Sequence, residues 1–283
     1  MYEKKQCLLK IRSNYNSFSK TEKKIADYLF NNSDKIIYMS VSEFADNCDV
    51  GETTIIRFCR KIGLKGYQEF KLVLARDMVN INENIYDNIN KSDDIKEIIR
   101  KTTLANIRAI ENTANLISSG QLEKAANAII TADKVDIYGV GASGFTAGDA
   151  KYKFMRIGIR CEAFSDAHMQ SMSAVNLSEK SVALGISFSG STKDTVDSLR
   201  LAKQVGAFTI AITNYEKSPI TKVVDLVLLT SARETPLRSG ALTSKIAQLH
   251  VLDILYTAVA IKKEEKSYEY LNKTAEAVLP KLY

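Results

Sequence analysis

The 283-residue chain has only two histidines, three prolines and four cysteines. No uninterrupted apolar run approaches the ~18 residues that a membrane span requires. The N-terminal stretch Met1-Tyr-Glu-Lys-Lys-Gln-Cys-Leu-Leu-Lys10 lacks a long apolar region followed by a small-residue cleavage site, so no export signal is expected and the expected compartment is the cytoplasm. Cys7, Cys48, Cys59 and Cys161 are widely scattered and show no metal-ligand spacing. Cys48 and Cys59 read as small buried hydrophobes, and neither a metal nor a cofactor is expected. With so few histidines, general acid–base chemistry has few places to reside. His250 falls in the apolar helix Ile246–Ile261 and reads as a core histidine, whereas His168 reads equally well as site edge or surface. What is present is ordinary for a globular protein, with 45% hydrophobic and 25% charged residues, and the length predicts about two domains.

Acidic residues are scarce in one segment. Between Thr53 and Arg76 the cations are Arg57, Arg60, Lys61, Lys65, Lys71 and Arg76, against the single acid Glu69. Such a segment is drawn to a polyanion and releases counterions on binding it. Its helical pattern sharpens that reading. Ser19 and Glu22 form a capping-box pair ahead of Ile25 and Leu29. Val41, Phe44, Ala45 and Cys48 then recur at i, i+3, i+4 and i+7, giving one buried face, and Asp49-Val-Gly51 makes a turn whose Val50 can plug the corner. The helix from Glu52 to Ile62 places Ile55, Cys59 and Ile62 inward and Thr54, Arg57 and Lys61 outward. This is a helix-turn-helix pattern, with Thr53 and Thr54 in the first turn that enters a major groove. Gly63 ends the helix as a left-handed cap would, and Lys65-Gly-Tyr67 is suited to gripping phosphate. Candidate DNA contacts are therefore Thr53, Thr54, Arg57, Arg60, Lys61, Lys65 and Tyr67.

The polar stretch from Asn80 to Asp94 marks a boundary. It separates a helical domain at 1–77 and a linker at 78–94 from a second domain at 95–283. Helical spacing resumes over Ile95–Ile117 and Leu122–Thr131, either of which suits packing on a partner subunit or capping its own domain. From Val135 onward, β-rich runs alternate with helical ones: Val135–Tyr138, Arg160–Phe164, Ser181–Ile186, Phe208–Thr213 and Leu226–Leu229. The intervals predict right-handed crossovers and an open α/β sandwich on a five-stranded parallel sheet, with its ligand site at the carboxyl ends of the strands. The fold class is thus α plus α/β.

Two loops fall at those ends. Gly139-Val-Gly-Ala-Ser-Gly144 has the form G-x-G-x-x-G, with Glu162 about 20 residues on, which is the dinucleotide fingerprint. Ser187-Phe-Ser-Gly-Ser-Thr192 precedes a helix, where unpaired N–H groups and the helix dipole favour an anion. Gly190 allows close backbone approach, and Ser187, Ser189, Ser191 and Thr192 add hydroxyl donors. One hydroxyl suffices for a helix cap, and a dinucleotide needs no second serine cradle, so phosphate is the better reading of this loop.

On these motifs, together with Thr53–Lys71 and Arg238-Ser-Gly-Ala-Leu-Thr-Ser-Lys-Ile-Ala-Gln-Leu249, the chain resembles the RpiR family of bacterial transcriptional regulators over nearly its whole length. The resemblance implies a helix-turn-helix domain followed by a SIS (sugar isomerase) domain, and a homodimer or homotetramer whose affinity for a double-stranded DNA operator is controlled by a phosphosugar effector. It further implies that Ser143, Ser187, Ser189 and Thr192 hold the phosphate, and that Glu234 and the segment Arg238–Ser244 approach the sugar. Gly141 belongs to the wall opposite the serine loop, since the effector is expected between that loop and Gly139–Gly144. Two departures stand out: Gly51 replaces the usual Ser cap of the recognition helix, and Phe188 stands where several SIS enzymes carry a polar residue. SIS domains also serve phosphosugar isomerases and lyases, so a phosphate cradle alone does not separate sensing from turnover. Glu234, His168 and His250 are the acid–base candidates for that alternative. Tyr2 stands where a glutamine amidotransferase partner domain would need Cys.

Overall fold

The computed structural model describes residues 8, 11, 14–78, 89, 92–232, 234 and 241–281. Tyr2, Cys7, Arg238 and most of the expected linker lie outside them. Its contacts divide the chain into two compact units, Met1–Ile107 with Arg233–Leu242, and Arg108–Ala232 with Thr243–Tyr283.

The first unit is helical: α1 (Lys20–Ile36), α2 (Val41–Asn47), α3 (Glu52–Lys61), α4 (Tyr67–Met78) and the first part of α5 (Ile95–Leu116). The box expected at Ser19 and Glu22 is closed on both sides, and Ser40 with Glu43 forms a second box at the start of α2. Such caps satisfy N–H groups that the helix itself cannot, each contributing about 1 kcal/mol. Ile55, Cys59 and Ile62 are buried as their spacing requires, and Phe58 joins them edge-on to Phe18. Phe44, Tyr67 and Phe70 stack on one another at the centre of this core.

The second unit carries α6 (Ser119–Thr131), then β1 (Lys134–Gly139), α7 (Ala142–Arg156), β2 (Cys161–Phe164), α8 (Ala167–Val175), β3 (Ser181–Ile186), α9 (Lys193–Gln204), β4 (Phe208–Thr213), β5 (Leu226–Leu229), α10 (Leu242–Lys263) and α11 (Glu265–Val278). All five strands are parallel, in the order β2-β1-β3-β4-β5. Burial of both faces explains the nearly continuous apolar runs of β3 and β4. The faces differ in bulk. Leu184, Ile186, Ile210 and Ile212 pack with Ala147, Phe154, Ile129, Val251 and Leu255 from the helices on one side. Ala183 and Ala211 lie with Tyr138 on the other, against Val196, Leu199 and Ala174 of α8 and α9.

α10 is long and apolar enough to cross a membrane by composition, with a mean hydropathy of 1.2 over 18 residues. Its Val251, Leu252, Leu255 and Val259 are instead buried in the sheet core. Lys71, counted in the basic run, is buried at 5% exposure; its ammonium donates to the Met39 carbonyl at 3.0 Å and lies over the Tyr67 ring. Cys48, Cys59 and Cys161 are buried free thiols, and burial raises Cys48 and Cys161 to about 11.

Burial lowers the Lys71 pKa from 10.5 to about 8, with Glu43 opposing the shift. Between those two values the unfolded chain binds more protons than the folded one, so stability rises with pH across the window; below pH 8 both states are charged and the cost is constant. The swing is at most about 3 kcal/mol. Denaturant titrations from pH 7 to 10.5 should show Lys71→Met more stable than wild type at the acid end, with the gap closing as pH rises. A gap that stays constant would mean that this ammonium is hydrated.

Candidate phosphate cradle and DNA-facing helix

Strand order reverses between β1 and β3, and in open parallel sheets the ligand crevice lies at such a switch point. The two strands pair in register up to Gly139↔Ile186, so the loops after them leave the sheet side by side, about 4.8 Å apart. Both candidate loops therefore meet at one place. Beneath them, the buried Gln170 of α8 donates to the carbonyls of Gly139 and Phe164, tying the ends of β1 and β2 together. Nothing in the sequence pattern singled out this residue.

The serine loop is fastened from within. The Gly190 N–H donates to the Ser187 carbonyl, the Ile220 N–H to the Gly190 carbonyl, and the Ser191 N–H to Ser189 Oγ. Ser191 Oγ donates to the Ser189 carbonyl, so its proton closes the loop. Ser187 and Thr192 share one hydrogen bond at 3.0 Å, which leaves one of their two protons over. Among the described residues Ser189 Oγ only accepts, so its own O–H also remains to donate. Thr192 caps α9 without a side-chain bond to it, leaving the first backbone N–H groups of the helix without a side-chain cap. Gly190 has φ +60°, and a Cβ there would come within 2.2 Å of Ser218 Oγ.

Across the crevice Gly141 caps α7, again without a side-chain bond, and Ser143 lies half-buried in the first turn. Ser143 Oγ accepts from Gln248 of α10 at 3.3 Å. Ser244 is buried one turn before Gln248, on the same face of α10. Gly139 is needed because a Cβ would lie 2.5 Å from the Ser143 carbonyl oxygen. This close packing of helix on strand accounts for the glycine without a dinucleotide. Glu162 pairs with Asp136 in mid-sheet register and binds Lys151 of α7 at 2.6 Å, away from the carboxyl edge where a ribose would need it. Phe188 packs edge-on to Tyr215, and its carbonyl accepts from Asn214 and Thr213. Glu234 groups with the other contact unit.

In the first unit, α2 and α3 are joined by the expected turn, where Asp49 adopts φ 53° and the Val50 N–H donates to the Ala45 carbonyl. Gly51 caps α3 without a side-chain bond. Thr53, Arg57, Arg60, Lys61 and Lys65 are exposed, and Thr54 is half-buried. Lys61 is already engaged, bridging to Glu22 at 2.8 Å and lying over the Phe18 ring. Tyr67, expected to grip phosphate, is buried, and its one hydroxyl proton is shared between the carbonyls of Met39 at 3.1 Å and Ile36 at 3.3 Å. The aromatic ring anchors α4 to the core.

Residues 5–80 match the helix-turn-helix domain model of the rpiR family, and residues 128–258 match the SIS domain model. An uncharacterized HTH-type transcriptional regulator of Caldanaerobacter subterraneus is 44% identical over 268 residues, 95% of each chain. The regulator YbbH of Bacillus subtilis is 32% identical over 269 residues, again 95% of each. Among solved structures, the NanR protein of Vibrio vulnificus complexed with ManNAc-6P superposes with a TM-score of 0.86 at 28% identity, covering 98% of this chain and 100% of that one. The chain belongs to the rpiR family of helix-turn-helix transcriptional regulators, with a SIS domain as its second part.

Gly190→Ala should destabilise the SIS unit by at least about 1–2 kcal/mol through left-handed strain alone, with the Ser218 contact adding to it. Denaturant unfolding of the variant checks this, and a midpoint equal to wild type would show that the loop adopts another conformation.

Proposed function

We propose that this protein reports a phosphosugar to a promoter. A phosphate ester sits at the start of α9, taking the free N–H groups there together with the hydroxyls of Ser189, Thr192 or Ser187, and Ser143. The sugar extends from the crevice, with Ser244 as a candidate contact. Exposed Thr53, Arg57, Arg60 and Lys65, with half-buried Thr54, face the operator, in a homo-oligomer of cytoplasmic location that presents paired recognition helices. An effector coupling of about 1–3 kcal/mol would change operator affinity roughly 5- to 150-fold. The uncapped helix start behind a self-fastened hydroxyl loop, at the switch point of the sheet, carries this reading. The whole-length likeness to NanR, solved with ManNAc-6P, supports the choice of ligand class.

Sensing is favoured over turnover. Among the described residues neither His168 nor His250 has a hydrogen bond or ion pair to a carboxylate, the pairing that would orient an acid–base histidine. His168 is exposed on the first turn of α8, and His250 is half-buried on α10 rather than in the core. Incubation of the purified protein with a panel of phosphosugars separates the two: binding without conversion is expected, and turnover above about 1 per second would make it an enzyme.

Arg57→Ala should weaken operator binding by about 1–3 kcal/mol if the guanidinium reads a base, or reduce the salt slope by about one ion if it holds a phosphate. Lys61→Ala should cost less, since Glu22 already holds that ammonium. Footprinting and salt titration on the chain's own promoter fragment check both, and equal losses would place Lys61 on the DNA. Ser189→Ala should leave operator affinity intact while removing the phosphosugar response.

A further inference from the structure

Gln248 is not among the residues expected to touch an effector, yet both ends of its side chain are committed beside one that is. It lies on α10 at 2% exposure. Its Nε2 donates to Ser143 Oγ at 3.3 Å, and its Oε1 accepts from the hydroxyl of Thr146, itself fully buried, at 3.2 Å. The single Thr146 proton is shared between that amide oxygen and the Ala142 carbonyl, one turn back in α7 at 3.3 Å. A serine hydroxyl has one proton and two lone pairs. When Ser143 accepts from Gln248, a lone pair is used and its proton is left to point elsewhere. With the amide reversed, Oε1 would take that proton, and Ser143 would present only lone pairs to an anion, which repels them. The orientation seen here is the one that suits a negatively charged ligand.

We infer that Gln248 is a positioning residue that fixes Ser143 as a hydrogen-bond donor, and so sets the preference of the crevice for a phosphate ester over a neutral sugar. The inference rests on the phosphate reading given above. Gln248 itself touches no ligand; it acts through Ser143. It also joins α7 to α10, so ligand contact at Ser143 is felt on a second helix of the SIS unit.

A double-mutant cycle tests this with inorganic phosphate and ManNAc-6P as probes, binding being followed by calorimetry on the full chain. Melting curves verify that each variant folds. Ser143→Ala should weaken binding of either probe roughly 10- to 100-fold, the worth of one hydrogen bond to a charged group. Gln248→Met, of similar length but without the amide, should weaken it roughly 5- to 30-fold in the wild-type background and less than about 2-fold when Ser143 is already Ala. A merely structural role would give the same loss in both backgrounds, and that additivity overturns the proposal while leaving the serine loop intact. Gln248→Glu keeps the shape of the side chain and offers an acceptor to Ser143; binding as tight as wild type would overturn the proposal even if the methionine variant fails to fold. Should wild type bind neither probe, the phosphate reading itself fails, and this inference with it. Unchanged affinity in Ser143→Ala beside tight wild-type binding would remove Ser143 from the site and overturn the inference alone.

Discussion

The parallel pairing of β1 with β3 is the constraint on which the proposed effector site depends. These strands are consecutive in space but not in sequence, with β2 lying on the far side of β1. Their crossovers consequently leave in opposite directions, and the two loops part to leave a crevice between them. The register ending at Gly139↔Ile186 then decides which atoms line it: the start of α7 on one wall and the start of α9 on the other. Two helix N-termini aimed at one small volume give it a positive potential that no side chain need supply. That is how a site for an anion can be built from serines and glycines, with no arginine or lysine in the loops themselves.

In the helical unit, the surface that can face a duplex is narrower than the charge count implies. Of the cations between Thr53 and Arg76, Lys71 lies in the core and Lys61 is paired with Glu22. Both contribute to packing: Lys61 covers Phe18 and links α3 to the cap of α1, and Lys71 ties α4 to the Met39 carbonyl. Arg57, Arg60, Lys65 and Arg76 remain exposed, the first two on α3, Lys65 in the turn after it and Arg76 on α4.

Much of this was legible in the sequence because it depends on local rules. The five strand positions follow from β-branched runs between turn residues, and their observed limits differ from expectation by one residue at most. Ser19 with Glu22, the inward set of Ile55, Cys59 and Ile62, and the serine loop follow from fixed spacings. What escaped depends on contacts between distant segments. Tyr67 and Lys71 carry polar ends that composition assigns to the surface, but carbonyls near Met39 satisfy those ends inside. Gln248 lies 105 positions from Ser143, and no periodicity connects them. His250 sits in an apolar helix but on its partly exposed side.

Gly190 has a consequence beyond its own conformation. Because its neighbours Ser218 and Thr213 fill the space where a side chain would go, the loop is braced against β4 and the turn at Ile220 independently of any guest. An anion at the proposed site would order little that was loose, so the common headgroup of many esters would be gripped almost indifferently. Choice among those esters would then fall to residues farther along the crevice, which can change without disturbing the anchor. Such a division of labour lets one scaffold be retuned to new metabolites by altering its outer wall alone.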